Sequence, residues 1–174
     1  MELNIIATGA SLKGKDLTKI PRPIMAINYA FKYVDYDYLA AFDDPIRHGF
    51  PVDDRLHTNY DWVHKYKLDC PGWNRKRRSH VLINNASDEI FGRSGSLFCG
   101  INVAIKLGYK KINVYGADMQ LTDGYCHFYD ETPVTDKHLK EHYERSFQRH
   151  EKTKNTFLMQ LKDTDIELNF LSLD

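Results

Sequence analysis

Four short segments of this 174-residue chain carry residue types that can do chemistry. Thr8-Gly9-Ala10-Ser11-Leu12-Lys13-Gly14 follows an apolar run directly, and a glycine beside a hydroxyl and free amides can cradle a phosphate. Its spacing is neither G-x-G-x-x-G nor a Walker loop, so a plain strand-to-helix turn is the alternative. Ser94-Gly95-Ser96 opens a helix, and the first amides of a helix suit an anion, just as Ser94 suits a simple N-cap. At ~100° per residue His150 shares an arc with Tyr143, Phe147, Lys154 and Leu161, which turns it inward. An imidazole so placed can act as a general base on a hydroxyl, or serve as a hydrogen-bonded structural histidine. Tyr125, His127 and Tyr129 follow Asp118 in one loop, where they can hydrogen-bond a leaving phosphate or pack the loop down.

Two further patterns carry less. His138-Leu139-Lys140-Glu141-His142 matches the H-x-x-E-H zinc pattern but sits among charged neighbours that read as a solvated helix face, so no metal site is expected. Arg75-Lys76-Arg77-Arg78 can touch nucleic-acid phosphates, but four basic residues in a neutral chain more often form a solvated loop.

The elements that must position these residues follow from apolar runs and their terminators. Strands are predicted over Leu3–Thr8, Ile24–Asn28, Tyr38–Phe42, His80–Asn84, Lys111–Tyr115 and Ile166–Leu171. Five of them end in small, polar or acidic residues, and ligands of open α/β sheets sit at such carboxyl ends. Helices are predicted over Ser94–Leu107, stopped by Gly108, and over Asp136–Leu161. The stretch of roughly 35 residues between the third and fourth strands predicts one helix near Asp61–Tyr66 and irregular chain beyond. Together these predict one Rossmann-like α/β domain over residues 1–174, with a mostly parallel sheet of about six strands flanked by helices.

Composition narrows the function classes. Twenty-four basic residues balance 24 acidic ones, so no global field draws the chain to nucleic acid or membrane. Cys70, Cys99 and Cys126 are odd in number and widely spaced, which excludes a disulfide framework and a thiolate zinc site and fits a reducing compartment. No signal-peptide pattern opens the sequence, and no apolar run approaches the ~18 residues of a membrane span. A cytoplasmic location is therefore expected.

The segments also recur together in one family. A strand ending in Gly9-Ala10-Ser11-Leu12-Lys13, an Asn28 closing the next strand, Ser94-Gly95-Ser96 and the run Ala104–Ile112 followed by Gly116-Ala117-Asp118 resemble the bacterial sialyltransferases that use CMP-sialic acid. They are also similar to a wider Rossmann-like group that includes pterin pyrophosphokinases. Thr8 and Ala10 stand where the sialyltransferases have asparagine and proline, and Asp44 before Pro45 stands where they have asparagine. The resemblance implies a nucleotide site made by Thr8, Gly9, Ala10, Ser11, Asn28, Asp44, Ser94, Gly95, Gly116 and Asp118. His150, in the context His150-Glu151-Lys152, matches the family's catalytic base. It further implies an inverting, metal-independent transfer from a nucleotide-sugar donor, CMP-linked by preference, with no other cofactor. Tyr125, Tyr129 or His127 would stabilise the departing phosphate. The acceptor is left open among glycan, small molecule and nucleic acid, and so is self-association. The alternatives are a magnesium-dependent pyrophosphoryl transferase and a non-catalytic nucleotide-binding module.

Overall fold

Parallel strands need crossovers, and strands buried on both faces read as apolar runs. The computed structural model, which describes residues 1–76, 88–91 and 95–173, places such runs in the middle of one sheet. In chain order its strands are β1 (Glu2–Ile6), β2 (Ile24–Ile27), β3 (Tyr38–Ala40), β4 (Leu56–Asn59), β5 (Gly72–Lys76), β6 (Glu89–Phe91), β7 (Lys111–Tyr115) and β8 (Glu167–Leu171). Every pair is parallel, in the spatial order β6-β5-β4-β3-β2-β1-β7-β8, and the sheet is open.

The helices are α1 (Pro45–His48), α2 (Tyr60–Tyr66), α3 (Ser96–Lys106) and α4 (Lys137–Leu161). Alternate residues of each strand face opposite ways, so the sheet has two apolar faces. Leu3, Ile5, Met25, Ile27, Ile112 and Val114 share one core cluster with Phe98, Ile101, Phe157 and Leu161 of α3 and α4. Ile6, Ala26, Leu39 and Leu56 belong to a second cluster, closed by Leu12, Leu17, Phe50 and Phe128. Gly100 on α3 permits close helix-to-sheet contact, since a Cβ there would lie 2.7 Å from Ile27 Cδ1.

The described residues form eight strands, against about six expected. β4, β5 and β6 fall in chain that showed no apolar pattern, because β4 (Leu-His-Thr-Asn) and β5 (Gly-Trp-Asn-Arg-Lys) are mostly polar. Arg75 and Lys76 thus belong to a strand rather than a solvated loop. The expected strand His80–Asn84, the residues Arg77 and Arg78, and Ser94 lie outside the described residues. The N-cap of α3 is Gly95, so the helix starts two residues later than predicted. β7 has the predicted bounds, and Asp136 caps α4 by accepting from Leu139 N.

In the polar strand β4 Asn59 Oδ1 accepts from Asp61 N at 2.9 Å and Thr58 Oγ1 is buried without a partner. His57 is 4% exposed, accepts from Trp73 Nε1 at 3.4 Å and lies beside the Tyr38 ring. Burial pulls its pKa down to about 4, from 6.5 in the unfolded chain. Protonation therefore favours unfolding: the stability is complete above pH 6.5 and is lost as pH falls toward 4. Denaturant titrations across that window should show a loss of up to about 3 kcal/mol. A His57→Gln variant should lose clearly less over the same interval; equal slopes would contradict the assignment.

Candidate functional site

In an open parallel sheet the ligand crevice forms where neighbouring strands send their connections opposite ways. Here that point lies between β1 and β7, since β1 leads on to β2 on one side and β7 to β8 on the other. A cavity of about 260 Å³ opens there, among Thr8, Gly9, Asn28, Gly95, Gly116 and Asp118, with His127 and His150 in its wall.

The floor is a tight knot of backbone. Gly9 N donates to Gly116 O at 2.7 Å, and a Cβ on Gly9 would strike that carbonyl and lie 2.6 Å from Asp118 Cγ. Glycine is needed here to let two loops meet. Asp118 ties the knot: it accepts from Ser11 N at 2.6 Å, from Ser11 Oγ and from Thr122 Oγ1 at 3.2 Å. Ser11 is thereby committed to Asp118.

Asn28 closes β2 with φ +48°, a left-handed conformation that asparagine tolerates better than most residues. Its Oδ1 is buried without a hydrogen-bond partner. A buried acceptor left unpaired costs roughly 1–3 kcal/mol, and Asn28 lies in the pocket wall. Across the pocket α3 presents its amino end. Gly95 adopts φ 86°, ψ 177°, a region essentially confined to glycine. Ser96 follows, buried, with its Oγ accepting from Phe42 N at 3.4 Å.

α4 forms the opposite wall through Tyr143, Ser146, Phe147 and His150. His150 is half-buried, edge-on to Phe98, and its Nε2 lies 3.6 Å from where a Gly95 Cβ would be. Burial chiefly, and Arg149 secondarily, pull its pKa below the ordinary histidine value. It is therefore a neutral imidazole near pH 7, able to accept a proton. His127 comes from the loop after β7, held by a bridge to Gly9 and by a contact of Nδ1 with Asp130 Oδ2 at 3.3 Å.

Other expected residues sit elsewhere. Ala10 is buried beneath the loop and Ser11 faces Asp118, neither of them in the cavity wall. Asp44 caps α1, accepting from Ile46 N and Arg47 N and from Tyr66 Oη at 2.8 Å; its neighbour Asp43 lines the pocket instead. Tyr125 is covered by Lys13 Nζ at 4.4 Å, outside the wall. Tyr129 is also outside it, stacked behind His127, with burial and then Asp130 pushing its phenol pKa up. His138 and His142 are exposed on α4, and no group of three potential metal ligands occurs among the described residues. Tyr143 and Phe147, expected on the inward arc of His150, line the cavity with it, whereas Asp43, Cys126 and Ser146 line it without having been singled out in the sequence; for Ser146 the helical spacing with His150 is the available signal.

Fold and site together define an open parallel α/β protein with a crevice pocket at its strand carboxyl ends. No protein-family description matches the sequence, and no curated protein is matched. Two solved structures resemble the fold at a distance. One is a probable thiamine pyrophosphokinase from Staphylococcus saprophyticus, at 14% identity and TM-score 0.46 over 99% of this chain. The chain spans 65% of that protein's length. The other is the sialyltransferase CST-II in complex with a trisaccharide acceptor and CMP, at 16% identity and TM-score 0.42, over 99% of this chain and 81% of that one. No helix among the described residues is long and apolar enough to cross a membrane.

Gly95→Ala forces an L-residue into a glycine-only conformation and places a methyl group beside His150. The variant should lose about 1–3 kcal/mol in denaturant unfolding, with a lower Tm. Unchanged stability would mean that Gly95 is not held in this conformation.

Proposed function

We propose that the protein is a small glycosyltransferase-like enzyme whose crevice binds a nucleotide-activated sugar, CMP-linked by preference, and passes the sugar to an acceptor hydroxyl. The observation that carries this reading is Asn28. It pairs an uncommon left-handed backbone with an unpartnered buried Oδ1, in a wall facing the amino end of an 11-residue helix. Strained residues and unpaired polar atoms cluster where ligands bind, and helix amino ends suit phosphate. The motif resemblance at Asn28, Gly95, Gly116 and His150 supplies the donor class.

In this reading His150 takes the acceptor's proton as its oxygen attacks the anomeric carbon from the face opposite the phosphate, inverting the configuration. Its lowered pKa keeps it neutral at pH 7, ready to accept. The nucleotide's phosphate rests on the Gly95 and Ser96 amides, and no metal is required. A magnesium-dependent pyrophosphoryl transfer is the second reading, favoured by the Asp43 carboxylate in the pocket wall. Unaltered turnover in EDTA would exclude it.

A thermal-shift series over CMP, UMP, GDP and ADP tests the central reading. A nucleotide at 100 times its Kd should stabilise the fold by about 2.7 kcal/mol. CMP is expected to give the largest shift, and no shift with any nucleotide would contradict the proposal. With a turnover assay in hand, His150→Ala should lower kcat by about 10²–10⁴-fold while CMP still binds. The wild-type rate should fall with acid only below the usual histidine value, because only the neutral imidazole accepts a proton.

A further inference from the structure

His127 is held more completely than packing of its loop requires. Its backbone N donates to Asp130 Oδ2 at 2.7 Å, and its Nδ1 lies 3.3 Å from the same oxygen. Its ring stacks on Tyr129 with centroids 5.1 Å apart and planes 5° apart. Tyr129 in turn stacks on Tyr33, at 5.7 Å and 4°. Tyr143 meets the imidazole edge-on, and the loop backbone is clamped by Phe128 N donating to Thr8 O at 3.1 Å. Lys13 Nζ donates to the Asp130 carbonyl and holds that residue from the other side. Nδ1 lies against the Asp130 carboxylate, and Nε2, whose hydrogen-bond partner is the Cys126 Sγ at 3.7 Å, is the ring nitrogen with no charged partner among the described residues.

The pocket has a charge problem that this arrangement answers. Among the described residues of its wall there are two carboxylates, Asp43 and Asp118, and no lysine or arginine. A departing phosphate needs a donor placed for the charge that develops on it. Tyr125 is outside the wall beneath Lys13, and Tyr129 is behind His127; of the three groups in this loop only His127 faces the cavity.

We propose that Asp130 is a positioning residue that makes His127 the leaving-group partner, an inference that rests on the nucleotide-donor reading. As the acceptor oxygen bonds the anomeric carbon, its proton passes to His150. The bond from that carbon to the phosphate oxygen breaks, and its electron pair stays on the phosphate. A proton on His127 Nε2 hydrogen-bonds that oxygen and can pass to it, while the Asp130 carboxylate beside Nδ1 keeps the ring turned that way.

Nuclear magnetic resonance of protein labelled with ¹⁵N-histidine tests this, with CMP and cytidine as probes. At alkaline pH, where imidazoles are neutral, His127 should be the Nδ1–H tautomer, and Asp130→Asn should turn it to Nε2–H. CMP should move the His127 Nε2 resonance and cytidine should not. An Nε2–H tautomer in the unmodified protein overturns the proposal, whatever the protein binds. So does CMP that shifts the His150 signals but leaves His127 in place, an outcome under which the nucleotide reading survives. If CMP moves no signal, the nucleotide reading falls and takes the leaving-group role with it. In turnover, His127→Gln should lower kcat on the order of 10²-fold, and Asp130→Asn should lower it in the same direction with the donor KM nearly unchanged. Full kcat in folded Asp130→Asn would also overturn it.

Discussion

Gly9 and Gly116 bring the ends of two neighbouring parallel strands so close that one amide donates to the other's carbonyl at 2.7 Å, and the pocket is built on that contact. Any side chain on Gly9 would strike the Gly116 carbonyl and crowd Asp118. Asp118 then spends both carboxylate oxygens on Ser11 and Thr122, welding the loop after β1 to the loop after β7. The weld fixes the place where the sheet's connections diverge, which is the crevice that open α/β sheets offer to ligands. It also sets the backbone of His127, which bridges to Gly9. One acidic side chain therefore shapes the site through the chain around it.

The two long helices complete the cavity in different ways. α3 is buried along nearly its whole length, which anchors its amino end firmly and aims free amides at the crevice. α4 is amphipathic and mostly polar, with Thr153, Phe157 and Leu161 buried towards its carboxyl end. Its earlier turns lie over the pocket rather than the core, so Tyr143, Phe147 and His150 keep the inward arc yet remain half-exposed. The same periodicity that packs a helix on a sheet here continues past the sheet's edge and becomes a pocket wall. Burial of His150 beneath that wall is what keeps its imidazole neutral.

Much of this was legible in the sequence wherever an apolar run or a helical stripe reports burial. Ile112 and Val114 gave β7 its bounds, and the spacing of Tyr143, Phe147 and His150 placed the histidine in the cleft. β4 was invisible because its buried residues His57, Thr58 and Asn59 are polar, and burial by strand pairing on both sides leaves no hydrophobic pattern. Asp43 and Asp44 are adjacent carboxylates, and only the capping of α1 decides that the second is consumed and the first lines the pocket. Ser11 looked like a phosphate ligand because its partner, Asp118, is 107 residues away. Local chemistry names candidate groups; long-range hydrogen bonds decide which of them are still available.

The crevice as a nucleotide site is most directly tested by a crystal structure of the protein grown with saturating CMP. The account predicts CMP between β1 and β7, its phosphate on the Gly95 and Ser96 amides and Asn28 Oδ1 within hydrogen-bond distance of the ligand. CMP bound elsewhere, or a crevice without nucleotide in which Asn28 Oδ1 still has no partner, would contradict it.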